Sequence, residues 1–167
     1  MAYSGVEVEN LLNESIAVYF KEHVDKNYSL HASKDIGFDE LLNDKMLIVS
    51  AIRTGIPYSL FKLIQKYSSF SEGDWATFLS ISQKSLQRYR KDPDHFFKSI
   101  HAEKIIGIAE VIRIGLDVFG NIEKLKLWLN SPNYALGKVK PIELIKDSYG
   151  RELVTNELIR IDHGILV

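Results

Sequence analysis

There is no cysteine anywhere in the 167 residues. Disulfides, thiolate nucleophiles and cysteine-based zinc sites are therefore excluded, and cytoplasmic residence is the simplest expectation. No apolar run approaches the roughly 20 residues that span a bilayer, so no membrane partner is expected. The opening residues, MAYSGVEVEN, lack a basic segment followed by an apolar stretch, so no secretory leader is expected. Neither phosphate-cradling pattern, G-x-x-x-x-G-K-[ST] or G-x-G-x-x-G, occurs. His95 and His101 stand six apart, a spacing that does not put two metal ligands on one helical face. No serine lies in a nucleophile-elbow context. His163, beside Asp162, reads as a cation at a helix C-terminus rather than a catalytic base. The sequence thus argues for no enzyme and implies no catalytic residues, metal or cofactor.

What is present is ordinary for a globular chain: 46% hydrophobic and 26% charged residues. The net charge of −1 conceals a division. Residues 1–50 carry four Lys/Arg against nine Asp/Glu, whereas residues 51–91 carry seven against two. A basic middle behind an acidic front is a local electrostatic footprint rather than general stickiness.

The apolar spacing is helical throughout and predicts an all-α chain. Residues 6–23 place Val8, Leu11, Leu12, Ile16 and Tyr19 on one face. Asp25–Gly37 has no period and reads as a loop that leaves this first helix loosely attached. Phe38–Leu42 reads as one helical turn. Asp44 is placed to cap a helix that Gly55 ends, and Pro57 to start another at its first position. That next helix is expected to bury Leu60, Leu63, Ile64 and Tyr67.

Ser71–Lys91 is more specific. Ser71 caps a short helix and Ser82 a second, across a tight turn at Ser80-Ile81-Ser82. Ala76, Ile81 and Leu86 are spaced five and five, as two steeply crossing helices require. This looks like a helix-turn-helix of the Xre/Cro kind, with Ser80 where that family often has glycine. Gln83, Lys84, Ser85, Gln87, Arg88, Arg90 and Lys91 are left as candidate DNA-binding residues, with no acid between 75 and 91. Lys and Arg neutralise phosphates, and Gln and Arg at a helix N-terminus reach base edges.

After Asp92-Pro93, residues 94–119 read as one long helix, apolar almost all round from Ile105. Gly107 and Gly115 lie within about 80° of each other on it. They mark close approach of another helix, either internally or at a dimer seam. Gly120 ends this helix and Asn121 caps the next. Pro132 and Gly137 break the chain, Pro141 opens a short helix through Lys146, and Ser148 is placed to cap the last. In that last helix Val154, Leu158, Ile161 and Ile165 form a buried stripe. Arg151, Glu152, Asn156, Ile159, Arg160 and His163 are left as the candidate contact face, with Ile159 as an apolar anchor.

W-L-x-S-P-N-x-A-L-G from Trp128, K-P-I-E-L from Lys140, Y-G-R-E-L-V from Tyr149 and E-L-x-R-I-x-H-G-I from Glu157 resemble the toxin-binding domain of the MbcA/ParS/Xre-type antitoxins. The resemblance is close over the last third of the chain and weaker back to about residue 36. It implies an antitoxin that neutralises a RES-domain, NAD-degrading toxin by blocking its active site. The helix-turn-helix implies a second role, repression of its own operon, with a homodimer placing two recognition helices on operator DNA. The expected division is residues 1–35 as an N-terminal helix and loop, 36–104 as the helix-turn-helix domain and 105–167 as the toxin-binding domain. A stand-alone helix-turn-helix regulator and a chromosome-partition adaptor remain as alternatives.

Overall fold

The computed structural model describes residues 5–24 and 36–165. Most of the loop expected over Asp25–Gly37 lies outside them. The described chain is all-α apart from one two-stranded ribbon. Its helices are α1 (Gly5–His23), α2 (Phe38–Asn43), α3 (Lys45–Thr54), α4 (Tyr58–Ser68), α5 (Glu72–Leu79), α6 (Gln83–Arg90), α7 (Ser99–Phe119), α8 (Ile122–Leu129), α9 (Pro141–Leu144) and α10 (Ser148–Asp162). A 3-10 turn, Tyr134–Leu136, sits between α8 and α9. No helix among the described residues is long and apolar enough to cross a membrane.

The axis of the molecule is α7, whose Ala102, Ile105, Ile106, Ile108, Ala109, Val111 and Ile112 are all buried. An apolar stripe this wide needs partners on several sides. It finds them in α3, α4, α5, α8 and α10. The buried side chains form one continuous hydrophobic cluster. The boundary expected at 104/105 therefore falls inside a helix that both halves share.

Most helix ends follow their sequence signals. The Asp44 carboxylate accepts from the amides of Met46 at 2.8 Å and Leu47 at 3.3 Å. Ser71 and Asp74 form a reciprocal capping box. Three ends differ from expectation. The Pro57 backbone is extended, and Ile56–Pro57 pairs antiparallel with Phe96–Phe97, so Pro57 precedes α4 instead of opening it. The same pairing holds residues 96 and 97 out of helix, so α7 starts at Ser99 rather than near 94. At the C-terminal end Asp147, not Ser148, caps α10, accepting from the Gly150 amide at 2.8 Å.

The first helix is not loosely attached. Leu12 and Ile16 are fully buried, and the Tyr19 hydroxyl donates to the Gly55 carbonyl at 2.8 Å, at the C-terminal end of α3. Burial raises the Tyr19 pKa above its ordinary value. The buried stripe of α1 is satisfied within the chain, while Val6 and Val18 of the same helix stay exposed.

Both interior glycines of α7 answer to internal neighbours, not to a dimer seam. A Cβ at Gly107 would collide with the Arg151 guanidinium of α10, and one at Gly115 with Leu125 of α8. A third helical glycine has a similar role: a Cβ at Gly150 would overlap the Leu144 carbonyl. Glycine costs up to about 1 kcal/mol inside a helix, and here it lets α10 lie directly against α7 and α9.

Candidate functional site

Two surfaces gather the candidate residues. The first is α6. Ser80 adopts the left-handed conformation with φ 57°, ending α5 sharply. That conformation costs a non-glycine residue roughly 1 kcal/mol. The Ser80 hydroxyl accepts from Lys104 Nζ at 3.2 Å, which ties the turn to α7. The Ile81 amide then bonds the Ala76 carbonyl at 3.0 Å. Ser82 caps α6 by accepting from the Ser85 amide at 3.0 Å. Leu86 is fully buried and anchors α6 to the core.

With Leu86 turned inward, the wheel places Lys84, Gln87, Arg88 and Lys91 within about 100° on the outer side. All four are exposed. The other three candidates lie off this arc. Gln83 leans on Gly73 of α5, and Arg90 pairs with Glu72 at 3.2 Å. Ser85 is half-buried and its hydroxyl accepts from Ser82 at 2.9 Å. Sequence spacing groups the seven candidates together, while the fold presents four of them as one outward basic face.

The second surface is α10. Val154 and Leu158 are fully buried. Glu152, Asn156, Ile159, Arg160 and His163 lie on the opposite side, exposed or half-buried. Arg151 does not join them. It is 5% exposed, pairs with Glu103 of α7 and donates to the Ile145 carbonyl at 3.2 Å. The reason is angular: Arg151 is about 140° from Asn156 on the wheel, on the Leu158 side. Arg160 is partly committed as well, to Glu157 at 3.1 Å.

Two α10 residues absent from the sequence-derived set are prominent here. Tyr149 is 80% exposed and Leu153 is 53% exposed. They fall in the same arc as Glu152, Asn156, Ile159 and His163. Tyr134, on the 3-10 turn that packs on α10, is 82% exposed, with Lys138 Nζ 5.2 Å from its ring centre. Aromatic and aliphatic side chains left this exposed are the kind that anchor protein interfaces. The available signal was spacing: Tyr149, Leu153, Asn156 and Arg160 repeat at four, three and four, displaced from the buried stripe.

Between α6 and α7 lies an aromatic cluster that includes two histidines. The His95 ring stacks on Tyr89 of α6 at 3.8 Å with a 9° tilt, and Phe97 stands edge-on to both His95 and His101. Nε2 of His95 is buried without a hydrogen-bond partner. Burial lowers the pKa of both histidines below the ordinary value; Arg88 and His101 add to this at His95, and Lys104 at His101, while Asp92 opposes it at His95. A depressed histidine pKa means that the folded state prefers the neutral ring. Its contribution to stability is present above about pH 6.5 and is lost as pH falls toward the folded value. The unfolding midpoint should therefore drop between about pH 7 and pH 5, and His95→Phe, which keeps the stack, should flatten that drop. Equal slopes for the two proteins would show that the ring's charge is immaterial.

Among the described residues no group of three or more His, Asp or Glu side chains is placed to hold a metal ion.

Comparison with known proteins bears on the C-terminal surface. Residues 115–164 match the family model described as the Antitoxin Xre/MbcA/ParS C-terminal toxin-binding domain. That segment contains α8, α9 and α10 and the exposed residues just described. A protein named Antitoxin Xre, from Photorhabdus laumondii subsp. laumondii, is 28% identical over 116 residues. The alignment covers 69% of this chain and 78% of that relative.

Proposed function

We propose, from the premise that this chain is an antitoxin of the Xre/MbcA/ParS type with a C-terminal toxin-binding domain, that it neutralises a RES-domain, NAD-degrading toxin. The outer face of α10 covers the toxin's active site. Tyr149, Leu153 and Ile159 supply the apolar anchors; Glu152, Asn156, Arg160 and His163 supply the polar surround. The antitoxin acts by occlusion and carries out no reaction itself. The observation that supports this reading is the position of the exposed apolar residues of α10 inside the segment matched as toxin-binding.

The second half of the proposal concerns α6. Lys84, Gln87, Arg88 and Lys91 form the face that enters the major groove of operator DNA, and the chain represses its own operon as a homodimer. The short turn through Ser80, the lock at Leu86 and the run of basic residues free of acids support it.

The test is co-expression with the product of the adjacent reading frame, followed by purification on a tag placed on this chain alone. The expected result is a stable complex, with cellular NAD preserved only when this chain is present. An adjacent product that neither co-purifies nor lowers NAD when expressed alone would leave a helix-turn-helix regulator without a toxin partner as the better reading.

A further inference from the structure

A groove of about 350 Å³ runs between α3 and α10, with α7 as its floor. Its lining repeats at helical spacing on all three elements. Ile48 and Ile52 come from α3, Ile106 and Ile114 from α7, and Glu152 and Asn156 from α10. The lining on α7 extends from Glu103 to Glu110 and Ile114, about 16 Å at 1.5 Å per residue, or three helical turns.

Two ion pairs brace the walls against the floor. Arg151 of α10 pairs with Glu103, and Lys45 of α3 pairs with Glu110 at 3.3 Å. Both use carboxylates of α7; Arg151 is buried in its pair, whereas Lys45 is mostly exposed and its pair contributes little. Gly107, with no side chain, leaves room beneath Arg151. Among the described residues Glu152 has no ion-pair partner, so the α10 rim carries one uncompensated negative charge. A channel three turns long, with half-buried Ile52 and Ile114 along it among charged and polar residues, is a shape that takes an amphipathic helix through side chains at i, i+3 or i+4, and i+7.

We infer that this groove receives an amphipathic helix of the toxin, apolar toward Ile52 and Ile114 and with a basic residue facing Glu152. The inference rests on the proposed toxin contact at α10 and extends it. Glu152 and Asn156 belong to both surfaces, so a protein seated on the outer face of α10 meets the groove's edge without a gap. The consequence is that α3, outside the segment matched as toxin-binding, is part of the interface.

Hydrogen exchange of the full-length chain, alone and bound to the co-expressed product of the adjacent reading frame, tests this. The expected result is slowed exchange in both 148–162 and 45–54 on binding. Ile52→Lys, at a half-buried wall position, should weaken binding by about tenfold or more with the unfolding midpoint retained. Protection of 148–162 alone overturns the groove assignment and leaves the α10 contact standing. Binding without protection in either segment overturns both. Protection of 45–54 that rises with the concentration of the chain alone makes the occupant a second copy and overturns the inference. If Ile52→Lys fails to fold, the exchange pattern of the native chain still decides.

Discussion

Tyr149→Asp and Leu153→Asp should each abolish protection against the toxin while the chain stays folded. Both side chains are mostly exposed, so the substitutions remove little buried area and create no cavity. Each would instead place a carboxylate at the centre of a contact that excludes water. Hot-spot truncations cost at least about 2 kcal/mol, or roughly thirtyfold in Kd, and a desolvated charge adds to that. Arg160→Glu makes a poorer test. Arg160 pairs with Glu157, which is only 9% exposed, and the substitution would set two carboxylates against each other. Arg151→Ala makes a worse one, since it strips Glu103 of a buried partner and loosens α10 from α7. Growth rescue by variants co-expressed with the toxin, with circular dichroism as the folding control, separates these cases. Full rescue by both aspartate variants would remove the outer face of α10 from the toxin contact.

The second large effect is expected at α6. Arg88→Ala and Lys84→Ala together should weaken operator binding by at least about tenfold, and each should reduce the salt slope by about one. Arg90→Ala should do less, because Arg90 already pairs with Glu72 and its loss mainly frees a carboxylate at the start of α5. Ser85→Ala should act through the cap of α6 rather than through DNA. Mobility shifts at several salt concentrations distinguish these outcomes. Binding that ignores salt and tolerates the Lys84 and Arg88 changes would place any DNA contact elsewhere on the chain.

The sequence-based reading was strongest where side chains dictate local geometry. Asp44, Ser71, Ser82 and Asn121 each cap the helix expected of them, because a short polar side chain three residues before a free amide has few other uses. The burial of α7 followed from its apolar residues alone. What escaped depends on partners distant in sequence. Phe96 and Phe97 fit the helical apolar spacing of the residues that follow them, yet they form a two-residue ribbon with Ile56 and Pro57, some forty residues earlier. Arg151 has the chemistry of a surface contact, and only the slot at Gly107 and the carboxylate of Glu103 reveal it as interior. Tyr149 and Leu153 were overlooked for the opposite reason. Apolar residues next to a buried stripe read as its edge until the helix is docked and its outer side is seen. The boundary expected at 104/105 falls inside α7, whose apolar pattern runs unbroken across it.

The most direct measurement is the structure of this chain bound to the toxin it is proposed to neutralise. The outer face of α10, from Tyr149 to His163, is expected to contact the toxin's active-site cleft, with the basic face of α6 left uncovered. A complex in which α10 points into solvent and the toxin sits elsewhere would contradict it.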